Sequence, residues 1–460
     1  MKLPTCITTA LLSAFLIFAS AVSAPSEQSD NSFIISNVNI VDVEHRQILH
    51  NRRVYVKDGI IETIVSEQER DVKAPVDGIK HYDGDGGFLT PGLIDMHVHI
   101  YEPAAYLMTL SHGVTHVRVM NGVPKQLQWR DQIATGEMLG STSTVSSPII
   151  SGDKDALLQH GVDTAEEAKY AVATYHKQGY DLIKAYGSLN QQTLSAIVQE
   201  AKARNMPVAK HGPHASGDMP LTELTGLQSF EHVEDIYQGP LNHQLNGDKL
   251  PAIAKQISTV KVPVTPTLNI FYQLTKLSNE KHHYLEQQPL KYTPSIIEFQ
   301  AKRDQVKRWL TSSNQMAAHN LRTMEFLQQA TKILNQHGVE LLVGSDSGVL
   351  LSPHGIATHT EMQLMQESGL TSFDVLAAAT VNAAKALKLD TQMGKVARSF
   401  NADFIFTKSN PIDDLTTLKH PAAVIKNGHW YSRQQLSAMR DKAIEERSLW
   451  QEFTTLLEAL

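Results

Sequence analysis

Eight candidate strands with helical patterns between them predict a (β/α)8 TIM barrel as the main body of this chain. Strand-like apolar runs recur at 92–99, 114–120, 147–151, 181–187, 207–211, 226–232, 262–268 and 339–346. Helical periodicity separates several of them, most clearly from Thr164 to Gln178 and over 316–337. Alternating, strand-like segments flank this region on both sides. An open doubly wound sheet is the competing arrangement, but no glycine-rich phosphate fingerprint supports it.

The chain of 460 residues opens with Lys2, the apolar run Ala10–Ala19 and the small-residue triplets Ala19-Ser20-Ala21 and Val22-Ser23-Ala24. That order of charge, short apolar core and small residues is the pattern of a signal peptide. Residues 1–24 are therefore expected to direct a secreted or periplasmic protein, and the run is too short to span a bilayer comfortably. No membrane association is expected after their removal. The only cysteine, Cys6, lies inside this segment. The mature protein then has neither disulfides nor cysteine metal ligands, and a chain of this size can bury enough core without them. Removing Lys2 takes the formal charge from −7 to −8. No basic stripe marks a nucleic-acid partner, so the expected partner is a small molecule. A homo-oligomer remains open.

Residues 33–65 alternate like strands, and Lys57-Asp58-Gly59 is a hairpin signal. Ala402–Phe406 and Val424-Ile425 read as strands near the other end, with Asn427-Gly428 as a second hairpin signal. Neither end alone closes a core. The expectation is one small β-sandwich domain from 33–86 and 395–432, a barrel over 87–394 and a helical tail over 433–460. Within the barrel, Asp163 or Thr164 can cap the helix that follows, Glu166 and Glu167 suit its positive end, and Gly179 stops it. Residues 269–316 read as a long polar connection with helical fragments such as Ile296–Leu310, either a lid or a surface insertion. His282 and His283 within it read as solvated.

Chemistry-bearing residues recur at the predicted strand ends. His97 and His99 end the first strand, where i and i+2 share a face. On their own they are a metal site or two ordinary polar residues among 21 histidines. Lys184 lies in the fourth strand, His211 ends the fifth, His232 the sixth and Asp346 the eighth. In a barrel these ends converge on one face. Tyr186 shares the face of Lys184 and reads as a substrate hydrogen-bond donor or a packing tyrosine. His354 and His359 follow the last strand as a substrate contact and a supporting group, or as loop and cap polarity. Glu234 and Asp235 read as a solvated acidic loop, or as a preference for a basic substrate. His214 reads as a loop residue and Arg118 as paired within the barrel.

PGLIDMHVH at 91–99, HGVTHVRVM at 112–120, VGSDSG at 343–348 and MGKVARSFNADFIFTKSNPIDDL at 393–415 resemble motifs of the amidohydrolase superfamily. The resemblance runs from about residue 33 to 432, and within the superfamily the chain looks most like the imidazolonepropionase-like and Xaa-Pro dipeptidase branch. The resemblance implies two divalent metal ions, zinc foremost. His97, His99 and Asp346 would hold one, and His211 and His232 the other. Lys184 would bridge them as an N6-carboxylated carbamate, since a protonated lysine has no acceptor for a cation. Asp346 would also act catalytically, taking a proton from the attacking water and passing it to the leaving group. Tyr186, His354 and His359 would bind substrate. The implied function is a metal-dependent amidohydrolase cleaving an amide bond in a dipeptide or N-acyl amino acid. A lactone, carbamate or organophosphate ester hydrolase using the same metals is the alternative, and a non-catalytic scaffold a further one. A single ion held by His97, His99, His211 and Asp346 is the expectation if Lys184 is unmodified.

Overall fold

Residues 31–69, 79–211, 224–301 and 305–458 are described by a computed structural model. The leader-like segment 1–24 and His214 lie outside them. Alternating side chains near the start form β1 (Phe33–Asp42), β2 (Gln47–Lys57), β3 (Ile60–Ser66), β4 (Lys80–Asp83) and β5 (Phe88–Pro91). Lys57 pairs with Ile60. Asp58 and Gly59 between them have φ of 49° and 79°, as a two-residue type I′ hairpin requires.

The barrel follows. Its strands are β6 (Leu93–Val98), β7 (Val114–Val119), β8 (Thr142–Ser151), β10 (Leu182–Ala185), β11 (Val208–His211), β12 (Ser229–Glu231) and β13 (Val264–Thr265), with β9 (Gln159–Gly161) paired to β8. All neighbours are parallel. The eighth expected strand, 339–346, is only bridged to its neighbours, through Val264↔Leu341 and Val98↔Ser347. Backbone hydrogen bonds from Met96 N to Val343 O and from Asp346 N to His97 O complete the closure. A regular strand fails there for two local reasons. A Cβ on Gly344 would lie 2.2 Å from Thr265 Cγ2 and 2.8 Å from His97 Cβ, so the backbone approaches too closely for a side chain. Two residues on, Asp346 is left-handed with φ 51°.

The chain returns through β14 (Phe404–Thr407), β15 (Ala423–Lys426) and β16 (His429–Ser432). The resulting order is β16-β15-β14-β5-β1-β2-β3, with β4 beside β1. The sheet curls on itself, so that Trp430 stacks on Tyr82 at 4.1 Å and Phe33 meets both rings edge-on. Phe33, Ile35, Val54, Phe404 and Ile425 form its core. β5, expected within the barrel, pairs with β1 and β14. It is continuous with β6 except at Gly92, where a Cβ would lie 2.3 Å from Thr115 Oγ1.

The helix Ala165–Gln178 has the predicted ends. Thr164 Oγ1 accepts from Glu167 N, and Gly179 closes it at φ 90°. Residues 268–310 are more helical than a polar connection suggests. Leu268–Glu280 and His282–Gln287 are helices, as are Ser295–Ala301 and Gln305–Leu310. The buried face of the first includes Asn269, Gln273, Thr275 and Ser278 beside Leu274 and Leu277. Polar residues on the inner face erase the apolar stripe by which a helix is read. His282 and His283 are exposed. No described helix is long and apolar enough to cross a membrane.

The tail forms helices Arg433–Glu445 and Leu449–Leu457, and the second is tied to the barrel by two buried carboxyls. Glu452 accepts from Ser295 N at 2.8 Å and from Ile296 N. Glu102 accepts from Ser448 N at 3.2 Å. Burial, with Glu452 beside it, pushes Glu102 up to about 9, so it is a neutral acid at neutral pH. An acid raised on folding binds its proton more tightly folded than unfolded. Stability contributed by this group is present at low pH and declines as pH rises from about 4.5 to about 9. Glu102→Gln keeps an acceptor for Ser448 and cannot ionise. Its melting temperature should fall less than the wild type's between pH 5 and 9, with the two meeting near pH 5. Parallel curves would show that Glu102 does not titrate in this window.

Candidate metal centre

The C-terminal ends of the barrel strands gather six metal-capable side chains. The His97 and His99 ring centroids are 5.4 Å apart, and His97 lies 4.7 Å from His232. His211 lies 4.5 Å from His232. Asp346 Oδ1 is 3.0 Å from His99 Nε2 and 3.7 Å from His97 Nε2. The donor atoms of His97, His99 and Asp346 all lie within 4.8 Å of one another, close enough to hold one ion. Lys184 pairs in register with Ala209, two residues before His211 on the same face. Its Nζ is buried and has no hydrogen-bond partner among the described residues.

The imidazoles of His97, His211 and His232 are neutral, as ligands must be. Burial lowers His97 to about 4 and His232 to about 3, and the His211 imidazole lies well below its usual range. Burial would raise Asp346, but His97, His99 and His232 outweigh it and keep the carboxylate ionised. Burial also pulls Lys184 down to about 8, opposed by Glu231 and Asp346 and assisted by Arg118. A buried amine with no hydrogen-bond partner among the described residues and a pKa this low is partly uncharged at neutral pH. The donor set and the unpartnered Lys184 Nζ fit a divalent metal bound by imidazole and carboxylate.

Backbone geometry and outer hydrogen bonds orient these metal-capable groups. His232 has φ 69° and Asp346 φ 51°, left-handed conformations that persist where surrounding structure dictates them. His97 Nδ1 is 2.8 Å from Glu231 Oε2. Glu231 in turn accepts from Arg118 Nη2 at 2.6 Å and contacts Ser229 Oγ. Burial alone would raise Glu231, but Arg118 and His97 hold it well below the usual range. An ionised Glu231 accepts from His97 Nδ1–H and leaves Nε2 facing the cluster. Such carboxylate support is common around metal-bound histidine.

Two expectations change here. Glu234 and Asp235 begin the short helix Glu234–Gln238 rather than a solvated loop. Asp235 is buried, with Oδ2 3.5 Å from His211 Nε2. His359, expected beside the substrate, is buried with Nε2 donating to His112 O at 2.8 Å. That carbonyl precedes β7, at the end of the strand opposite the cluster. His354 is held by Ser347 Oγ at 2.8 Å. Tyr186 stacks on His211 with centroids 4.1 Å apart. Sequence reasoning did not single out Glu231. Its one signal is its place before His232 in a buried strand end, where an acid needs a partner.

No protein of curated function matches the chain. Solved structures do. A putative prolidase from Bifidobacterium longum has 22% identity and TM-score 0.65, covering 90% of this chain and 99% of that one. A Xaa-Pro dipeptidase with methionine bound in its active site has 19% identity and TM-score 0.65, covering 87% and 100%. Bottromycin amidohydrolase has 20% identity and TM-score 0.73, covering 91% of each chain. At these identities the likeness establishes the shared fold. The amidohydrolase family profile matches residues 88–431, from β5 through the barrel and back to the small sheet, and the chain belongs to that family.

Proposed function

We propose that this enzyme, a hydrolase of carbon–nitrogen bonds by its family, cleaves an amide in a dipeptide or N-acyl amino acid. His97, His99 and Asp346 would hold one divalent ion and His211 and His232 a second, with Lys184 supplying an anion to both once carboxylated. The observation that carries this reading is Lys184 Nζ, buried without a hydrogen-bond partner among the described residues, beside the neutral imidazoles of His97, His211 and His232. Bound divalent ions supply the Lewis acidity that activates water and polarises a carbonyl. The chain's own residues do the rest. Asp346 takes the water's proton and returns it to the leaving nitrogen. Glu231 holds His97 in place. Tyr186, beside His211, bounds the space a substrate carbonyl enters. The solved prolidase and Xaa-Pro dipeptidase folds support a dipeptide as the first substrate to try. Export through residues 1–24 belongs to the same proposal, and N-terminal sequencing of the exported protein tests it.

Elemental analysis of purified protein, followed by a screen of Xaa-Pro and other dipeptides, N-acyl amino acids, lactones and phosphotriesters, tests the whole reading. Two equivalents of zinc or a similar ion and chelator-sensitive amide hydrolysis are expected. Metal with ester or lactone turnover alone would move the substrate class. Absence of metal after growth and assay with added zinc would end the proposal.

A further inference from the structure

His232 meets a residue that fixes which of its nitrogens carries hydrogen. Thr267 follows β13, and its Oγ1 lies 2.7 Å from His232 Nδ1 and 2.8 Å from Pro266 O. A hydroxyl has one hydrogen to donate, and a carbonyl can only accept. The hydroxyl therefore donates to Pro266 O, and Nδ1–H donates to the hydroxyl. The lone pair of the neutral ring is left on Nε2, the nitrogen not engaged by Thr267.

The placement of Thr267 is unusual for its residue type. Its φ is 52°, a left-handed conformation that is an outlier for a β-branched side chain. Contacts on both sides impose it. Val233 N donates to Pro266 O at 3.1 Å. Asn269 N donates to Glu361 Oε2 at 2.7 Å, while Asn269 Nδ2 donates to Ser345 O and Ser352 Oγ. The turn after β13 is thus tied to the turn after β12 and to the segment that carries Asp346. A glycine would adopt this φ without strain but would offer no hydroxyl. Thr267 is buried.

We propose that Thr267 is a positioning residue whose hydroxyl locks His232 in the Nδ1–H tautomer and presents Nε2 to the metal centre. This rests on the reading of His232 as a ligand. Glu231 does the same for His97 by charge, whereas Thr267 does it with a neutral group whose own hydrogen is committed elsewhere.

The test uses Thr267→Val, which keeps the shape and removes the hydroxyl, and Thr267→Ser, which keeps the hydroxyl and removes the branch. Side-chain nitrogen spectra of metal-free, histidine-labelled protein report the tautomer directly, with His232 assigned from its loss in His232→Gln. Wild type and Thr267→Ser should show Nδ1–H, and Thr267→Val should show Nε2–H or a mixture. In chelator competition Thr267→Val should bind one of two ions about 10–100-fold more weakly, with Thr267→Ser close to wild type. An Nε2–H tautomer in wild type, or wild-type tautomer and metal affinity in Thr267→Val, would overturn the proposal. If Thr267→Val fails to fold, loss of Nδ1–H in Thr267→Ser overturns it equally. A wild-type chain that takes up no divalent metal instead overturns the underlying site reading, and metal analysis detects that before any variant is made.

Discussion

Asp346→Asn should lower kcat by about 10²–10⁴-fold, the range for loss of a positioned proton-transfer group, with KM changing far less. The substitution is close to isosteric, and asparagine tolerates the left-handed conformation that Asp346 adopts at φ 51°. The fold and the approach of His97 and His99 should therefore survive. What changes is the chemistry at one atom pair. The carboxylate can take a proton from water, whereas the amide nitrogen only donates and the amide oxygen is a far weaker base. Asp346 also sits among His97, His99 and His232, which keep it ionised, so its neutral replacement removes a negative charge from the cluster. Weaker metal binding would follow from that charge loss. Metal content measured on the assayed sample separates the two effects. Lowered kcat at full metal occupancy assigns proton transfer to Asp346, and unchanged kcat at full occupancy would exclude it from that role.

The parts of this molecule that were legible in its sequence follow short-range rules. Two-residue turns such as Asp58-Gly59 declare themselves by residue type. The ends of helix Ala165–Gln178 declare themselves by Thr164, Glu167 and Gly179. Parallel strands run in register, so polar residues ending successive apolar runs meet at one rim, as His97, His211 and His232 do. What was not legible depends on partners far apart in sequence. The His97–Glu231 contact joins residues 134 positions apart, and neither strand contains a local sign of the other. Arg118 lies in the middle of an apolar strand and could be recognised only as a charge requiring a partner. Asp235 reads as surface polarity until β12 and its following helix carry it beneath His211. The helix Leu268–Glu280 is disguised because its inner face is polar and hydrogen-bonded. β5 was misplaced because one glycine separates it from β6, and a sequence does not show that the chain changes sheets there.

Lys184→Ala should leave the chain with one tightly bound ion rather than two and with little hydrolysis. Lys184 is deeply buried, and burial brings its amine to about 8. About a tenth is uncharged at pH 7 by that value, and most of it at pH 9. The uncharged amine adds to carbon dioxide, forming an N–C bond and releasing a proton. The product is an anion with two oxygens where a cation stood. Alanine removes both the anion and its reach, and arginine cannot replace it because it stays protonated and accepts nothing. Alanine would leave a space the length of a lysine side chain, within the influence of Glu231, Arg118 and Asp346. Acetate or a similarly short carboxylate fits such a space and restores two acceptor oxygens without a covalent link. Metal stoichiometry and turnover of Lys184→Ala, each measured with and without acetate, therefore report on the bridge independently. Recovery of the second ion together with part of the activity on adding acetate is the expected result. At matched concentrations of dissolved carbon dioxide, metal reconstitution of the wild type should also be faster at pH 9 than at pH 7, because the uncharged amine is the reactive form. Two ions bound by Lys184→Ala at wild-type affinity without acetate would remove Lys184 from the centre. A single ion in both wild type and variant would assign that ion to His97, His99, His211 and Asp346, with Lys184 unmodified beside it.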